Sequence, residues 1–199
     1  MPKALVTGGA GFIGSHVADL FIEKGYDVDV VDDLSSGKRE NIPKRARFHE
    51  IGVNSKEFAR LVGGGKFDVI AHLAGQLDVR KSVADPVVDA TINILGTLNL
   101  MEALRTSKGK ARVVFTSTGG AVYGDFNTPP NAETHPKDPE SPYAIAKLSI
   151  ELYLAYSGRV HGQDSIPVRF GNVYCPPQDP PGRAGGCGHS LGQVPQNPP

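Results

Sequence analysis

The chain has 199 residues, room for one domain, with 39% apolar residues and no Trp. Lys plus Arg equals Asp plus Glu at 21 each, which leaves no global field to gather nucleic acid or an anionic membrane. Two cysteines make no disulfide framework, no apolar run approaches the ~20 residues of a membrane span, and Met1-Pro2-Lys3 runs straight into a strand-like segment. The expectation is a soluble, cytoplasmic protein without a signal peptide.

Lys3–Thr7 is predicted as the first strand. It is followed by "VTGGAGFIGSH", in which Gly8, Gly11 and Gly14 are spaced GxxGxxG before a helix over Ser15–Lys24. In this context the first Gly turns the chain, the second lets backbone approach a pyrophosphate, and the third lets helix pack on strand. The helix N-terminus then offers free N–H groups to the anion. Val28–Val31 is the second strand and delivers Asp32, 18 residues beyond Gly14, and Asp33. A carboxylate there accepts hydrogen bonds from the adenosine ribose and repels a 2′-phosphate, so NAD is expected over NADP despite the nearby Lys38 and Arg39.

Phe48–Ile51 is read as the third strand and Lys56–Val62 as a helix. "GGGK" at Gly63–Lys66 lacks the strand before it and the Ser/Thr after it that a phosphate loop needs. Val69–Leu73 is a strand, with His72 read as a packed core histidine. A long helix is predicted over Asp85–Ser107, its turns marked by Val88, Ile92, Leu95, Asn99 and Glu102. Val113–Ser117, a helix at Ser141–Ser157, and Ile166–Phe170 complete the pattern. The strands lack clean alternation, as expected when both faces of a parallel sheet are buried. The β-α order implies a doubly wound Rossmann-type α/β sheet of order 3-2-1-4-5-6, with little or no second domain.

"SPYAIAKL" places Tyr143 and Lys147 four residues apart, on one face of a helix. Free tyrosine is a poor base at neutral pH, but an adjacent ammonium and a cationic nicotinamide favour its phenolate. Such a pair can take a proton from a sugar hydroxyl while hydride leaves the same carbon. "VVFTSTGGAVYG" brings Thr118 to the carboxyl edge of the sheet, where it could share that proton with Tyr143.

These residues, with "HLAGQ", "NILGTLNLMEA" and "RFGNVY", resemble the extended short-chain dehydrogenase/reductase superfamily, specifically its NAD-dependent epimerase/dehydratase family and most closely the UDP-glucose 4-epimerase-like branch. The resemblance covers about Met1 to Tyr174. It implies a catalytic set of Thr118, Tyr143 and Lys147. It also implies that Phe12 and Ile13 approach the pyrophosphate, that Leu73, Ala74 and Gln76 line the cofactor cleft, that Asn93 supports the active-site helix, and that Asn172 meets the sugar-nucleotide phosphates. Homodimers are common in the family. Its dehydratases carry an Asp-Glu pair after the catalytic Thr, where this chain has Gly119-Gly120, so 4-epimerisation of a UDP-sugar is expected. The alternatives are a dehydratase or net oxidoreductase, and a non-catalytic NAD-binding protein. Two departures stand out: Gly52 replaces an adenine-binding Asp, leaving backbone near Val53, and Asp33 replaces an Asn.

Relatives continue past the sixth strand into a substrate domain. Here 12 of the 25 residues from Cys175 to Pro199 are Pro or Gly, too little apolar surface to offset ordering entropy. Domains are therefore expected at 1–174 (NAD-binding) and 175–199 (a tail without fixed structure). The family's Gly-Val-Val-Ala-Ile run, read one base out of phase, can encode Gly186-Cys187-Gly188-His189, so a frameshift remnant is the favoured origin, with a natural Pro/Gly tail as the alternative. Cys175, Cys187 and His189 fit no zinc spacing, and no metal is expected.

Overall fold

Hydrophobic runs of strand length build the centre of the molecule, and the three central ones are buried along nearly their whole length. The computed structural model describes residues 1–124 and 130–173. Strands β1 (Lys3–Thr7), β2 (Asp27–Asp32), β3 (Arg47–Glu50), β4 (Val69–His72), β5 (Arg112–Thr118) and β6 (Ser165–Phe170) form one parallel sheet of order β3-β2-β1-β4-β5-β6. This is the order expected from the sequence. Helices α1 (Phe12–Glu23), α2 (Lys56–Gly65), α3 (Val79–Ala84), α4 (Pro86–Ala90), α5 (Gly96–Ser107) and α6 (Pro142–His161) connect the strands.

Two apolar clusters pack on the sheet's left half. One joins Leu5, Val31, Phe58, Ile70, Leu100 and Leu104. The other joins Ala4, Val6, Ala18, Ile22, Val28 and Val30. A smaller group of Met101, Phe115, Ile150 and Leu154 seats α6 beside α5. The one buried carboxylate in mid-strand, Asp29, is met by Lys3 Nζ at 3.3 Å, Arg47 Nη1 at 3.1 Å and His49 Nε2 at 2.6 Å. Its charge is thereby compensated, as a buried carboxylate requires.

The long predicted helix is continuous from Pro86 to Ser107 but differs in phase. Asp85 caps it, accepting from Val88 N at 2.9 Å. A π-helical turn at Thr91–Leu95 then separates α4 from α5. Of the residues read as marking its turns, Val88 and Leu95 are exposed, while Asp89, Asn93, Thr97, Leu100 and Leu104 are buried. The π turn resets the face by an extra residue, which a 3.6-residue period cannot anticipate. By length and a mean hydropathy of 1.2 this helix is apolar enough to cross a bilayer, contrary to the sequence expectation. Part of its apolar surface goes instead into the core, with Leu100, Ala103 and Leu104 packed against α2 and the sheet, while Val87, Val88 and Leu95 are exposed. "GGGK" closes α2, at the end of the helix that carries negative partial charge.

Candidate functional site

The glycine-rich turn is built by close approach. Gly8 has φ +71°, and a Cβ there would lie 2.7 Å from Ala74 N. A Cβ on Gly14 would sit 2.1 Å from Gly8 O and 2.7 Å from Gly8 C. These are backbone contacts that cannot swing away. Gly14→Ala is therefore expected to destabilise the fold by ~3 kcal/mol or more, through overpacking against fixed atoms. A thermal melt within a degree of the parent would show that the turn has room to move. Gly11 is the N-cap of α1 and provides no side-chain cap, so the first amides of the helix, at Phe12 and Ile13, have no intrahelical acceptor.

Asp32 is largely buried at the end of β2. Its Oδ2 accepts from Ala10 N at 3.0 Å and its Oδ1 from Leu34 N at 2.8 Å. Burial pushes its pKa above the ordinary carboxylate value, the two amides pull it down, and Asp33 adds a smaller upward push. Asp33 is exposed, and its Oδ1 accepts from Ser35 N at 2.9 Å. Arg39 is ion-paired with Glu50 and lies 5.0 Å over the Phe48 ring.

The C-terminal ends of β1, β4, β5 and β6 open onto a cleft of about 1250 Å³. Gly8, Gly11, Phe12, Ile13, Gly14, Leu73 and Gln76 line one part of it; Thr118, Tyr143, Lys147 and Asn172 line another. Asp32, Asp33, Ala74, Asn93 and Val53 are outside its lining. Asp32 stands beside it through Ala10, and Ala74 N donates to Thr7 Oγ1 at 3.1 Å. Val53 is the real displacement: its side chain is in the core, and its carbonyl accepts from Asn99 Nδ2 at 2.7 Å. With Gly52 ahead of it and its oxygen already engaged, it leaves little for an adenine.

Asn93 reaches the cleft floor from the π turn. Its Oδ1 accepts from Gln76 N at 2.9 Å, and its Nδ2 donates to Gln76 O and Asp89 Oδ1, each at 3.0 Å. A Cβ on Gly75 would lie 2.7 Å from Asn93 Oδ1 and 3.6 Å from Lys147 Nζ, so glycine there lets the loop close on both.

Tyr143 and Lys147 occupy the first turns of α6, started by Ser141, whose Oγ accepts from Ala144 N at 3.2 Å. Lys147 is 5% exposed and donates to Thr116 O at 2.9 Å, with Nζ 5.8 Å from the Tyr143 ring centroid and 4.7 Å from that of Phe115. Burial lowers its pKa to about 8, against an upward pull from Asp89. The protein alone raises the Tyr143 pKa, first by burial and then by the Asp89 charge, so the lowering expected from the sequence falls to the nicotinamide cation as well as to Lys147. Lys147 directs one of its three donors to Thr116, and the negative field of Asp89 opposes the phenolate. Nor does a hydrogen bond join Thr118 to Tyr143 among the described residues; Thr118 Oγ1 instead accepts from Ala121 N at 3.3 Å.

Several cleft residues escaped sequence reading. Glu151 is one turn beyond Lys147 on the same face of α6. Its Oε1 accepts from Ser117 Oγ at 2.5 Å and Arg169 Nε at 2.9 Å, and Arg169 Nη1 donates to Tyr123 OH at 2.7 Å. Burial pushes the Glu151 carboxyl up, but these donors hold it below its ordinary value. The i, i+4, i+8 spacing of Tyr143, Lys147 and Glu151 was a usable signal. The partner Arg169, contributed by β6, was not visible from spacing.

Below the cleft, His72 is 1% exposed and forms an ordered chain. Thr97 Oγ1 donates to Asn93 O at 2.7 Å, so at the 3.1 Å contact His72 Nε2 must be the donor to Thr97. Nδ1 is then the acceptor and takes the Thr7 hydroxyl proton at 2.8 Å. The ring is fixed as the neutral Nε2–H form, and burial, reinforced by Lys147, lowers its pKa to about 3.

Fold and site together define a dinucleotide-binding α/β protein with a Tyr/Lys pair at the switch-point edge. The sequence pattern of the NAD dependent epimerase/dehydratase family matches residues 4–187, and the chain belongs to that family. It is 42% identical over 188 residues to a UDP-glucose 4-epimerase of Mycolicibacterium smegmatis, covering 92% of this chain and 60% of that protein. The UDP-glucose 4-epimerase of Thermotoga maritima, solved with UDP-glucose, superposes with a TM-score of 0.86 at 46% identity, over 92% of this chain and 60% of that one. The Thermus thermophilus enzyme, solved with NAD, gives 0.85 at 44% identity, over 92% and 59%. The chain thus spans about 60% of the length of these relatives. The reading of Cys175–Pro199 as a tail concerns residues outside those described.

Proposed function

We propose that this chain carries the cofactor and proton-transfer machinery of an NAD-dependent nucleotide-sugar 4-epimerase acting on a UDP-sugar. The observation that carries the reading is the cleft itself, whose lining includes both the helix N-terminus without a side-chain cap and the buried Tyr143–Lys147 pair. Gly8, Gly11, Phe12, Ile13 and Gly14 would hold the pyrophosphate, Asp32 the adenosine ribose, and Lys147 with Gln76 the nicotinamide half. NAD, when bound, supplies the hydride acceptor. Tyr143, whose pKa burial and Asp89 raise, would release its own proton to solvent once positive charge is present, and the phenolate would then take the sugar hydroxyl proton; Thr118 and Asn172 would position the sugar nucleotide. Relatives solved with NAD and with UDP-glucose support this assignment.

Epimerisation is favoured over dehydration by the backbone after Thr118. Gly119 N donates to Phe170 O at 2.6 Å, and a Cβ on Gly119 would lie 3.0 Å from that oxygen. Gly119, the first of the two positions where a dehydratase keeps its acids, is crowded by β6, while Gly120 has open space around it but carries no acid. A second copy of the chain is the proposed partner: Leu152, Tyr156 and Val160 repeat every four residues along an exposed side of α6, with Val83 and Val87 exposed on the neighbouring α3 and α4. A cytoplasmic setting belongs to the same proposal.

The test is conversion of UDP-galactose to UDP-glucose by the purified chain with NAD, followed by chromatography; no conversion and no NAD binding would sink the reading. Calorimetry should also show NAD binding more tightly than NADP, because Asp32 repels the 2′-phosphate and Arg39 is held by Glu50. Asp32→Ala is expected to narrow that gap. NADP binding as tightly as NAD would remove the role given to Asp32.

A further inference from the structure

Asp89 is 1% exposed on α4, yet only half of its carboxylate is satisfied. Oδ1 accepts from Gln76 Nε2 at 2.9 Å and Asn93 Nδ2 at 3.0 Å. Oδ2 is buried without a partner among the described residues. Leaving such an oxygen unpaired costs ~1–3 kcal/mol or more for a charged group, so the fold should gain something by it.

We propose that Asp89 is a positioning residue of this site: Oδ1 fixes the Gln76 and Asn93 amides, and the buried carboxylate, joined through Asn93 to the Gly75 loop that touches Lys147, is the standing counter-charge of the Lys147 ammonium. The first half follows from donor counting. A carboxylate only accepts, so both amides must turn their NH₂ groups to Asp89. That leaves Asn93 Oδ1 facing Gln76 N and Gly75, the arrangement that shapes the cleft floor.

The second half follows from the charges around Lys147. On its own helix stand Tyr143, protonated, and Glu151, which β6 neutralises with Arg169. From β4 comes His72, held neutral, and β5 offers only the Thr116 carbonyl. The α3 bases Arg80 and Lys81 are exposed, and Asp78 caps their helix. Among the described residues Asp89 is the remaining negative group acting on Lys147, and its pull opposes a burial that already brings the amine to about 8. Without it, much of Lys147 would be uncharged near neutral pH, and a neutral amine could not stabilise a Tyr143 phenolate. The proposal rests on Lys147 being the cation of the proposed function, but not on which sugar is turned over.

The experiment reads protonation rather than turnover. Lysine labelled with ¹³C at Cε is incorporated, and the Lys147 resonance, assigned by Lys147→Arg, is titrated in the full chain and in Asp89→Asn. The expected result is a fall in the Lys147 midpoint by about one pH unit, a tenfold change in its protonation constant, with Asp89→Glu restoring part of it. An unchanged midpoint in a folded Asp89→Asn chain overturns the proposal. Should that variant not fold, the parent decides alone: the Asp89 carboxyl carbon should show a second inflection at the Lys147 midpoint, and its absence overturns the proposal equally. Loss of NAD or sugar binding would contradict the proposed function while leaving both titrations readable.

Discussion

Replacing Tyr143 by Phe is expected to lower NAD-dependent interconversion of UDP-galactose and UDP-glucose by about two to four orders of magnitude, the usual worth of a general acid–base group. The ring stays in place and only the ionisable oxygen goes. NAD affinity should change little, because Lys147 keeps its bond to Thr116 and the cleft floor is held by Gln76, Asn93 and Asp89. The raised pKa of Tyr143 sharpens this expectation. With NAD absent the phenol should stay protonated well above neutral pH, and its titration should move down when the cationic cofactor binds. Turnover within a few-fold of the parent in Tyr143→Phe would place the base elsewhere.

The second large effect is on stability at acid pH. His72 is neutral and its folded pKa, about 3, is below the ordinary 6.5. Between those values the unfolded chain binds a proton that the folded chain refuses. Its contribution to stability is therefore complete above pH 6.5 and lost as pH falls toward 3, a change on the order of 5 kcal/mol at full extent. Glu151 acts in the same direction at the low end: a carboxyl held below its ordinary value gives stability that is lost as pH falls through the folded pKa. His72→Phe removes the titration but leaves Thr7 and Thr97 without their partner. It should be less stable at pH 7, yet lose much less between about pH 6.5 and 4. Urea melts at a series of pH values test this, and parallel curves for parent and variant would mean that His72 does not titrate in this window.

Much of the fold was legible because its signals are local. Most strands are short apolar runs, and the Gly8–Gly14 spacing and the Tyr143–Lys147 interval are each written within a few residues. The sheet order follows from alternating elements and crossover handedness. The rest depends on contacts that spacing does not encode. The π turn at Thr91–Leu95 moved the buried face of the long helix off the predicted stripe, and that shift is what brings Asp89 and Asn93 inward. Helix α3 was missed because its six residues carry no apolar stripe long enough to read. The direction of the Tyr143 shift depends on how deeply the ring is buried and on Asp89 standing nearby on α4, neither of which spacing reveals. His72 was placed correctly in the core, but its chain through Thr7, Thr97 and the Asn93 carbonyl joins three separate stretches of sequence.

The central claim is that the cleft at the strand ends is a site for NAD, entered at the glycine turn and closed at Lys147. The most direct measurement is an NAD titration of the ¹⁵N-labelled full chain. Saturable shifts should concentrate at the amides of Gly11, Phe12, Ile13 and Gln76, and Asp32→Ala should weaken them. Shifts scattered over the outer faces of α5 and α6, or no saturable change at the glycine turn, would contradict the account.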